Sequence, residues 1–487
     1  MPSLQDAQLR HAHYYAQIAI RADMLYQEGG NQMVSSLALF DQERAQLDKA
    51  WEWLLAQPTT PAYDYLVMTY ASETINVGAL RYHERHERIP RLEAMLTAAQ
   101  RHQNRQSEGT ALLNLGIAWY HLGAHAQALL CYEQALAIAR ELGDRRSEGS
   151  VIGNMGSVYY EQGDVQQAVS CFEYQLARAR EVGNERGIVG ALTNLGHAWT
   201  ALGRSQQAIT YQVEAVELAR SIRDRRLESS ALNNLGLTHA ALGDPRQAIV
   251  YFEQHRTIAH ELGDRRGEGY ASGNLGDVYK DLGDMEQAEQ CHLQHLTIAR
   301  EIGDRRSEGY ALGNLGLTYK IRGKLQQASE LYQQVLVIVR ETGNREGEAN
   351  TLHNLGNLLT AMGDPSQAVE PLQQALTIAQ EIADPRNEGW ILGSLGNTYK
   401  ALRDAPRATA CFVQALDIMR EVGDQQGAAI ASWNLGIELA KQGQGTRAIE
   451  LMQSTVDFLR SIGHPDEARR AAEVEKIRNQ VVQSHSG

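Results

Sequence analysis

The 487-residue chain is 43% apolar and 22% charged with only ten prolines, a composition that excludes extensive disorder. Its formal charge of −13 opposes non-specific attachment to nucleic acid or anionic lipid, so any basic function has to be local. No stretch approaches the roughly 18–20 apolar residues of a membrane span, and the opening MPSLQDAQLRHAHYYAQ lacks the basic-then-apolar order of a secretory signal, which predicts a cytoplasmic protein.

Residues 1–62 read as an irregular helical segment, RHAHYYAQIAIRADM followed by LFDQERAQLDKAWEWLLAQ. Residues 63–103 read as one degenerate helix pair, with Tyr70, Tyr82, Leu92 and Leu96 at helical spacing. From 104 to 463 the chain repeats every 40 residues without insertion or deletion. Gly116, Gly156, Gly196, Gly236, Gly276, Gly316, Gly356, Gly396 and Gly436 align, each preceded by Leu or Met, and so do Ala128, Ala168, Ala208, Ala248, Ala288, Ala328, Ala368, Ala408 and Ala448. Small residues at fixed places let helices approach closely, which predicts nine stacked units.

Within the unit starting at Gly143, Asp144 is a predicted N-cap, Gly163 a helix stop and Asp164 the next cap. Ile152, Met155, Gly156 and Tyr159 share one face of the first helix, and Ala168, Cys171, Phe172 and Gln175 one face of the second. Pro245, Pro365 and Pro385 follow an aspartate at helix starts, where a missing N–H does no harm, whereas Pro371 falls inside a second helix and predicts a kink or a frayed first turn. Cys131, Cys171, Cys291 and Cys411 fill one slot of the repeat that Tyr211, Tyr251 and Leu331 fill elsewhere, so they read as packing residues. A polar-faced capping helix is expected over 464–483, and a disordered tail over 484–487. The predicted fold is therefore an all-α solenoid of antiparallel helix pairs.

The order Leu115-Gly116, Trp119, Gly123, Ala128, Tyr132 resembles the tetratricopeptide signature, and the resemblance covers about residues 104–463. The 40-residue period and strings such as GDRRSEGYALGNLGLTY are similar to the Pins/LGN group of spindle-orientation adaptors. The resemblance implies a right-handed superhelical solenoid with first helices on a concave wall whose asparagines and arginines hold long acidic peptides. It does not extend to the Gα-binding motifs of that group. The N-terminal run resembles the helices preceding tetratricopeptide sensors in STAND-type signalling ATPases, although no G-x-x-x-x-G-K-[ST] occurs in these residues.

At 100° per residue from Arg146, the positions Ser150, Gly153, Asn154, Ser157, Tyr160 and Glu161 share a sector predicted to face a ligand. Along the array this gives Asn114, Asn154, Asn194, Asn234, Asn274, Asn314, Asn354 and Asn434, with Ser394 as the gap. Asparagine is a mediocre helix former whose carboxamide can both donate to and accept from a peptide backbone, and the competing reading is that it fixes the stacking of repeats. A second ladder, Arg146, Arg186, Arg226, Arg266, Arg306 and Arg386, is broken by Glu346 and bounded by Gln106 and Gln426. Cations are disfavoured in a first helical turn, so an anionic ligand would explain them, and pairing with Glu148, Glu228, Glu268 and Glu308 is the alternative. Lys280, Lys320 and Lys400 add charge, and Tyr270, Tyr310, Trp390 and Trp433 offer apolar faces near them, which singles out repeats five to nine.

His83/His86 and His292/His295 have i, i+3 spacing but no third ligand, and read as surface histidines. There is no G-x-S-x-G elbow and no phosphate loop, so neither catalysis nor a cofactor or metal is expected. The leading reading is a scaffold or adaptor binding an extended acidic peptide or protein segment. The alternative is the sensor arm of a signalling or transcriptional regulator. Direct contact with nucleic acid or membrane is not expected, and pairing of two copies through the N-terminal helices stays open.

Overall fold

The computed structural model describes residues 3–28 and 30–485, and every regular element among them is helical. The chain divides into two compact units, Met1–Val278 and Tyr279–Gly487. It opens with α1 (Leu4–Glu28), α2 (Gly30–Leu55), α3 (Pro61–Glu73), α4 (Ile75–Arg81), a π-turn over Glu84–Arg88, and α5 (Ile89–Arg101). The regular pairs of the first unit are α6 (Arg105–His121) with α7 (His125–Glu141), α8 (Arg145–Glu161) with α9 (Val165–Glu181), α10 (Glu185–Ala201) with α11 (Ser205–Ser221), and α12 (Arg225–Ala241) with α13 (Pro245–Glu261). The unit boundary falls inside α14 (Arg265–Asp281). The second unit holds α15 (Met285–Glu301), α16 (Arg305–Ile321), α17 (Leu325–Glu341), α18 (Arg345–Ala361), α19 (Pro365–Glu381), α20 (Pro385–Ala401), α21 (Ala405–Glu421), α22 (Gln425–Lys441), α23 (Gly445–Ser461) and α24 (Glu467–His485).

The 40-residue period resolves into two 17-residue helices, each followed by a three-residue turn. At the end of α8, Gly163 adopts φ +84°, a left-handed conformation, and Asp164 N–H donates to Tyr159 C=O at 2.9 Å, closing the helix end. Asp144 then accepts from Ser147 N–H at 3.0 Å and Asp164 from Gln167 N–H at 3.1 Å, the side-chain caps that the sequence predicts.

The aligned glycines mark where the two helices of a pair touch. A Cβ at Gly116 would lie 2.3 Å from Tyr132 Cε1, and one at Gly396 would lie 2.5 Å from Phe412 Cε1. The aromatic ring therefore lies against the bare backbone of its partner helix. The aligned alanines from Ala128 to Ala448 are all fully buried. Consecutive first helices also touch, α10 with α12 and α18 with α20, which places them on the tighter side of the stack within each unit.

Ahead of the repeats, α1 and α2 pack on each other and on α3 through Ala12, Ala16, Phe40, Leu47, Trp51 and Tyr70. Tyr70 Oη donates to Ala12 C=O at 2.8 Å. At the other end α24 covers Trp433 with Val474, and the Arg470 guanidinium lies 4.1 Å over the Trp433 ring. Trp433 is thus a buried packing residue and not the open apolar face expected of it. Ser484 and His485 belong to α24, and Ser486 and Gly487 of the expected tail lie outside the described residues. The frayed turn expected at Pro371 is absent: α19 is continuous from Pro365 to Glu381, because the proline sits in a helix held along its length by α18 and α20.

Candidate ligand-binding cavity and exposed helix faces

Adjacent arginines at the start of the first helices do different work. Arg145 donates to Glu148, which also accepts from Arg140 at 3.0 Å, and the pattern recurs with Arg225 and Arg220 on Glu228, Arg305 and Arg300 on Glu308, and Arg345 and Arg340 on Glu348. These carboxylates are buried. Burial pushes Glu148, Glu308 and Glu348 up, but their arginine hydrogen bonds outweigh it and hold them below the usual carboxylate range. The glutamates offered as alternative partners for the arginine ladder are therefore taken by the preceding arginine. Among the described residues Arg146, Arg226, Arg306 and Arg386 make no ion pair, whereas Arg186 Nε lies 2.9 Å from the cap Asp224 of the next repeat.

In the first unit the ladder lines one half-open cavity of about 1630 Å³. Arg146, Arg186, Arg226 and Arg266 contribute to its wall together with Arg223, Arg225 and Arg265, against only three carboxylates, Glu185, Asp224 and Asp264. Three consecutive turns, around 183, 223 and 263, form the wall, so the starts of α10, α12 and α14 converge on it. Tyr26, Gln27 and Leu37 of the α1–α2 hairpin and Asn76 of α4 also line it. The Arg226 guanidinium lies 5.8 Å over the Tyr26 ring. Tyr270 completes the lining, and buried His255 contacts Ser229 Oγ at 2.8 Å, its pKa lowered chiefly by desolvation.

The ladder asparagines do not line this cavity. Asn114 is buried and donates to Thr110 C=O at 2.9 Å; Asn234 is buried beside Asn233; Asn274 donates to Asn233 Oδ1 of the previous repeat at 2.9 Å. Asn154, Asn194, Asn314, Asn354 and Asn434 are half-buried. Ser394, the gap in the ladder, meets His353 Nε2 at 2.8 Å, again across a repeat boundary. Gly153, expected on the ligand-facing sector, instead lies against Gln175, whose Cδ would be 2.4 Å from a Cβ there.

In the second unit the same first-helix face is open and carries apolar groups. Tyr310 and Ile430 are exposed, Trp390 is half-buried, and Arg306 and Arg386 precede Tyr310 and Trp390 by one turn. Lys320 and Lys400 end the same helices, half-buried, and Lys320 helps hold His353 down to about 4, after burial. Lys280 lies on α14, at the edge of this unit.

Sequence reasoning missed Arg223, Arg225, Tyr26, Asn76 and Asn233. Arg223 left a signal: it occupies the turn position that glycine holds in most repeats, and it adopts φ +56° there, a conformation unfavourable to a side chain. His292 and His295 are buried, not on the surface, and His295 Nε2 lies 2.8 Å from Ser307 Oγ of α16, while the His83 and His86 rings lie tilted with centroids 4.7 Å apart beside and within the π-turn. Among the described residues Cys131, Cys171, Cys291 and Cys411 form no disulfide, and burial raises the pKa of Cys131, Cys171 and Cys411. Among the described residues there is no group of three His, Cys, Asp or Glu that could hold a metal, and no helix is long and apolar enough to cross a membrane.

No curated protein sequence matches the chain. Among solved structures, a Pyrococcus horikoshii signal transduction ATPase with numerous domains, bearing a tetratricopeptide repeat sensor, shares 14% identity at TM-score 0.53 over 80% of this chain and 55% of its own length. A Rap protein complexed with competence and sporulation factor shares 16% identity at TM-score 0.47, covering 80% of this chain and 99% of that one. BtubC from P. vanneervenii shares 23% identity at TM-score 0.39 over 44% and 91%. The tetratricopeptide repeat family model matches residues 107–181, 187–261, 268–341 and 311–381, without singling out the 40-residue adaptor group. These matches cover more than half of the sequence, and the chain therefore belongs to the tetratricopeptide repeat family of helical-repeat protein-interaction scaffolds.

Proposed function

We propose that the chain binds an acidic, extended peptide or protein segment, and that the cavity of the first unit is its main anion-binding site. The observation that carries this reading is the convergence of Arg146, Arg186, Arg226 and Arg266 on one cavity whose wall is predominantly cationic although the chain as a whole carries −13. Buried glutamates do not neutralise Arg146 or Arg226, so both guanidiniums are available to carboxylates through paired N–H donors. A cavity walled on one side by the α1–α2 hairpin is partly shielded from water, which strengthens each ion pair formed inside it.

The test is titration of a twelve-residue peptide of four Glu-Ser-Ser triplets against the wild type and the Arg146→Glu/Arg186→Glu/Arg226→Glu variant. The wild type binds, binding weakens as salt rises, and the variant loses at least tenfold in affinity with an unchanged circular dichroism spectrum. Equal binding by both proteins, or by neither, would reject the cationic cavity as the site.

A further inference from the structure

The cations of the first-unit cavity are not spread evenly along its wall. The turn Arg223-Asp224-Arg225-Arg226 places three guanidiniums within four residues, and Asp224 draws in a fourth, Arg186, whose Nε lies 2.9 Å away. The corresponding turns of the wall read Gly183-Asn184-Glu185-Arg186 and Gly263-Asp264-Arg265-Arg266, so neither is as basic. The local carboxylates are already committed. Asp224 holds Arg186, buried Glu228 holds Arg220 and Arg225, and Glu261 also holds Arg225. Arg223 and Arg226 are left over: both are exposed, and among the described residues neither makes an ion pair. A surplus of two positive charges therefore stands at one turn of the cavity.

Arg223 adds a separate observation. It stands where the flanking turns have Gly183 and Gly263, and its φ of +56° lies in the left-handed region, which an arginine enters at a cost. No ion pair among the described residues offsets that cost. Arg226 is oriented by the hairpin, since the Tyr26 ring centre lies 5.8 Å from its guanidinium carbon. A ring against the flat of a guanidinium leaves its N–H edge open to an anion.

We infer that this turn is a subsite for a phosphoryl group on the bound segment, with Arg223 and Arg226 donating to its oxygens. The inference rests on the reading of the cavity as the site of an acidic segment and names one group that the segment carries. A single guanidinium saturates a carboxylate through two parallel bonds, so two uncommitted arginines in one turn exceed what one glutamate uses. A phosphate monoester presents three acceptor oxygens and, near neutral pH, a charge of about −1.5 to −2, which matches the surplus at the turn. The half-open cavity of about 1630 Å³ exceeds the roughly 300–1,000 Å³ of small-molecule sites, so the group arrives on a chain, as a phosphoserine.

Two twelve-residue peptides of nearly equal charge test this at pH 7.5. One is four Glu-Ser-Ser triplets; the other has its two middle glutamates replaced by serine and carries one phosphoserine at its centre. Wild type binds the phosphopeptide at least tenfold more tightly. Arg223→Gly restores the residue that the flanking turns use, so the variant melts no lower than wild type, and it binds the two peptides within about threefold of each other. If wild type binds both equally, or if the variant keeps the preference, the inference is overturned while the cavity reading stands. If neither peptide binds wild type, both fall. A variant that melts lower shows that Arg223 serves the fold, and also overturns the inference.

Discussion

The two units use one helix-pair scaffold but finish it differently. In the first, the residue one turn after Arg146, Arg186 and Arg226 is small, Ser150, Gly190 and Ser230, with Tyr270 after Arg266 as the exception, and the arginines line a half-open cavity. In the second, that position holds Tyr310, Asn350, Trp390 and Ile430 on an open face. Slots that touch the partner helix are thus fixed by packing, and slots that face outward are free to vary, so recognition chemistry is written in the second set. The difference also separates two surface chemistries, cationic in the first unit and apolar with charge in the second.

The strongest way to break the comparison is to ask whether the scaffold is indeed shared. Phe252 and Phe412 hold the same slot in the two units, buried against Gly236 and Gly396. Truncation of either to alanine is expected to cost about 3–5 kcal/mol, read from urea unfolding. Costs that differ by more than about 2 kcal/mol would show that the pairs are not equivalent.

A smaller effect comes from pH. His353 joins α18 to α20 through Ser394, and burial followed by Lys320 lowers its pKa to about 4 from an ordinary value of 6.5. The unfolded chain then binds the proton more readily than the folded one between these values. His353 therefore favours folding fully above pH 6.5, and this contribution is lost as pH falls towards 4, by up to about 3 kcal/mol. His353→Gln should flatten the dependence of the urea midpoint on pH across that window; an unchanged slope would contradict the assignment. His197 and His255 of the first unit are also lowered, chiefly by burial, so a slope of the same sign is expected there.

The smallest expected change sharpens the comparison by repairing a weakness in the first unit. Gln212 fills the slot that Phe252 and Leu372 fill elsewhere; it is fully buried, and both ends of its amide lack a hydrogen-bond partner. Gln212→Leu should stabilise by about 1–2 kcal/mol, visible as a higher urea midpoint. A loss of stability would mean that the amide is satisfied in solution.

Much of the fold is legible because it repeats. Nine copies of one spacing expose the turn glycines, the capping aspartates and the glycine under each ring, and one period averages away the local noise that blurs a single helix. What does not repeat is hidden. The meeting of Tyr26 with Arg226 joins residues two hundred positions apart, and no periodicity announces it. The phase reading also placed Gly153 towards a ligand, because helical angle alone cannot tell that a long neighbour such as Gln175 reaches across. The arginine ladder is visible as a pattern, but the division of labour between Arg145 and Arg146 is not, since both are equally charged in the sequence and only the fold turns one to Glu148 and the other to the cavity.

The most direct measurement of the central claim is amide hydrogen exchange with and without the Glu-Ser-Ser peptide. Slower exchange is predicted in the segments around 183–186, 223–227 and 263–267, which form the cavity wall, and at the α1–α2 hairpin. Protection confined to the second helices α9, α11 and α13, or no protection in the first unit while the peptide is bound, would contradict the account.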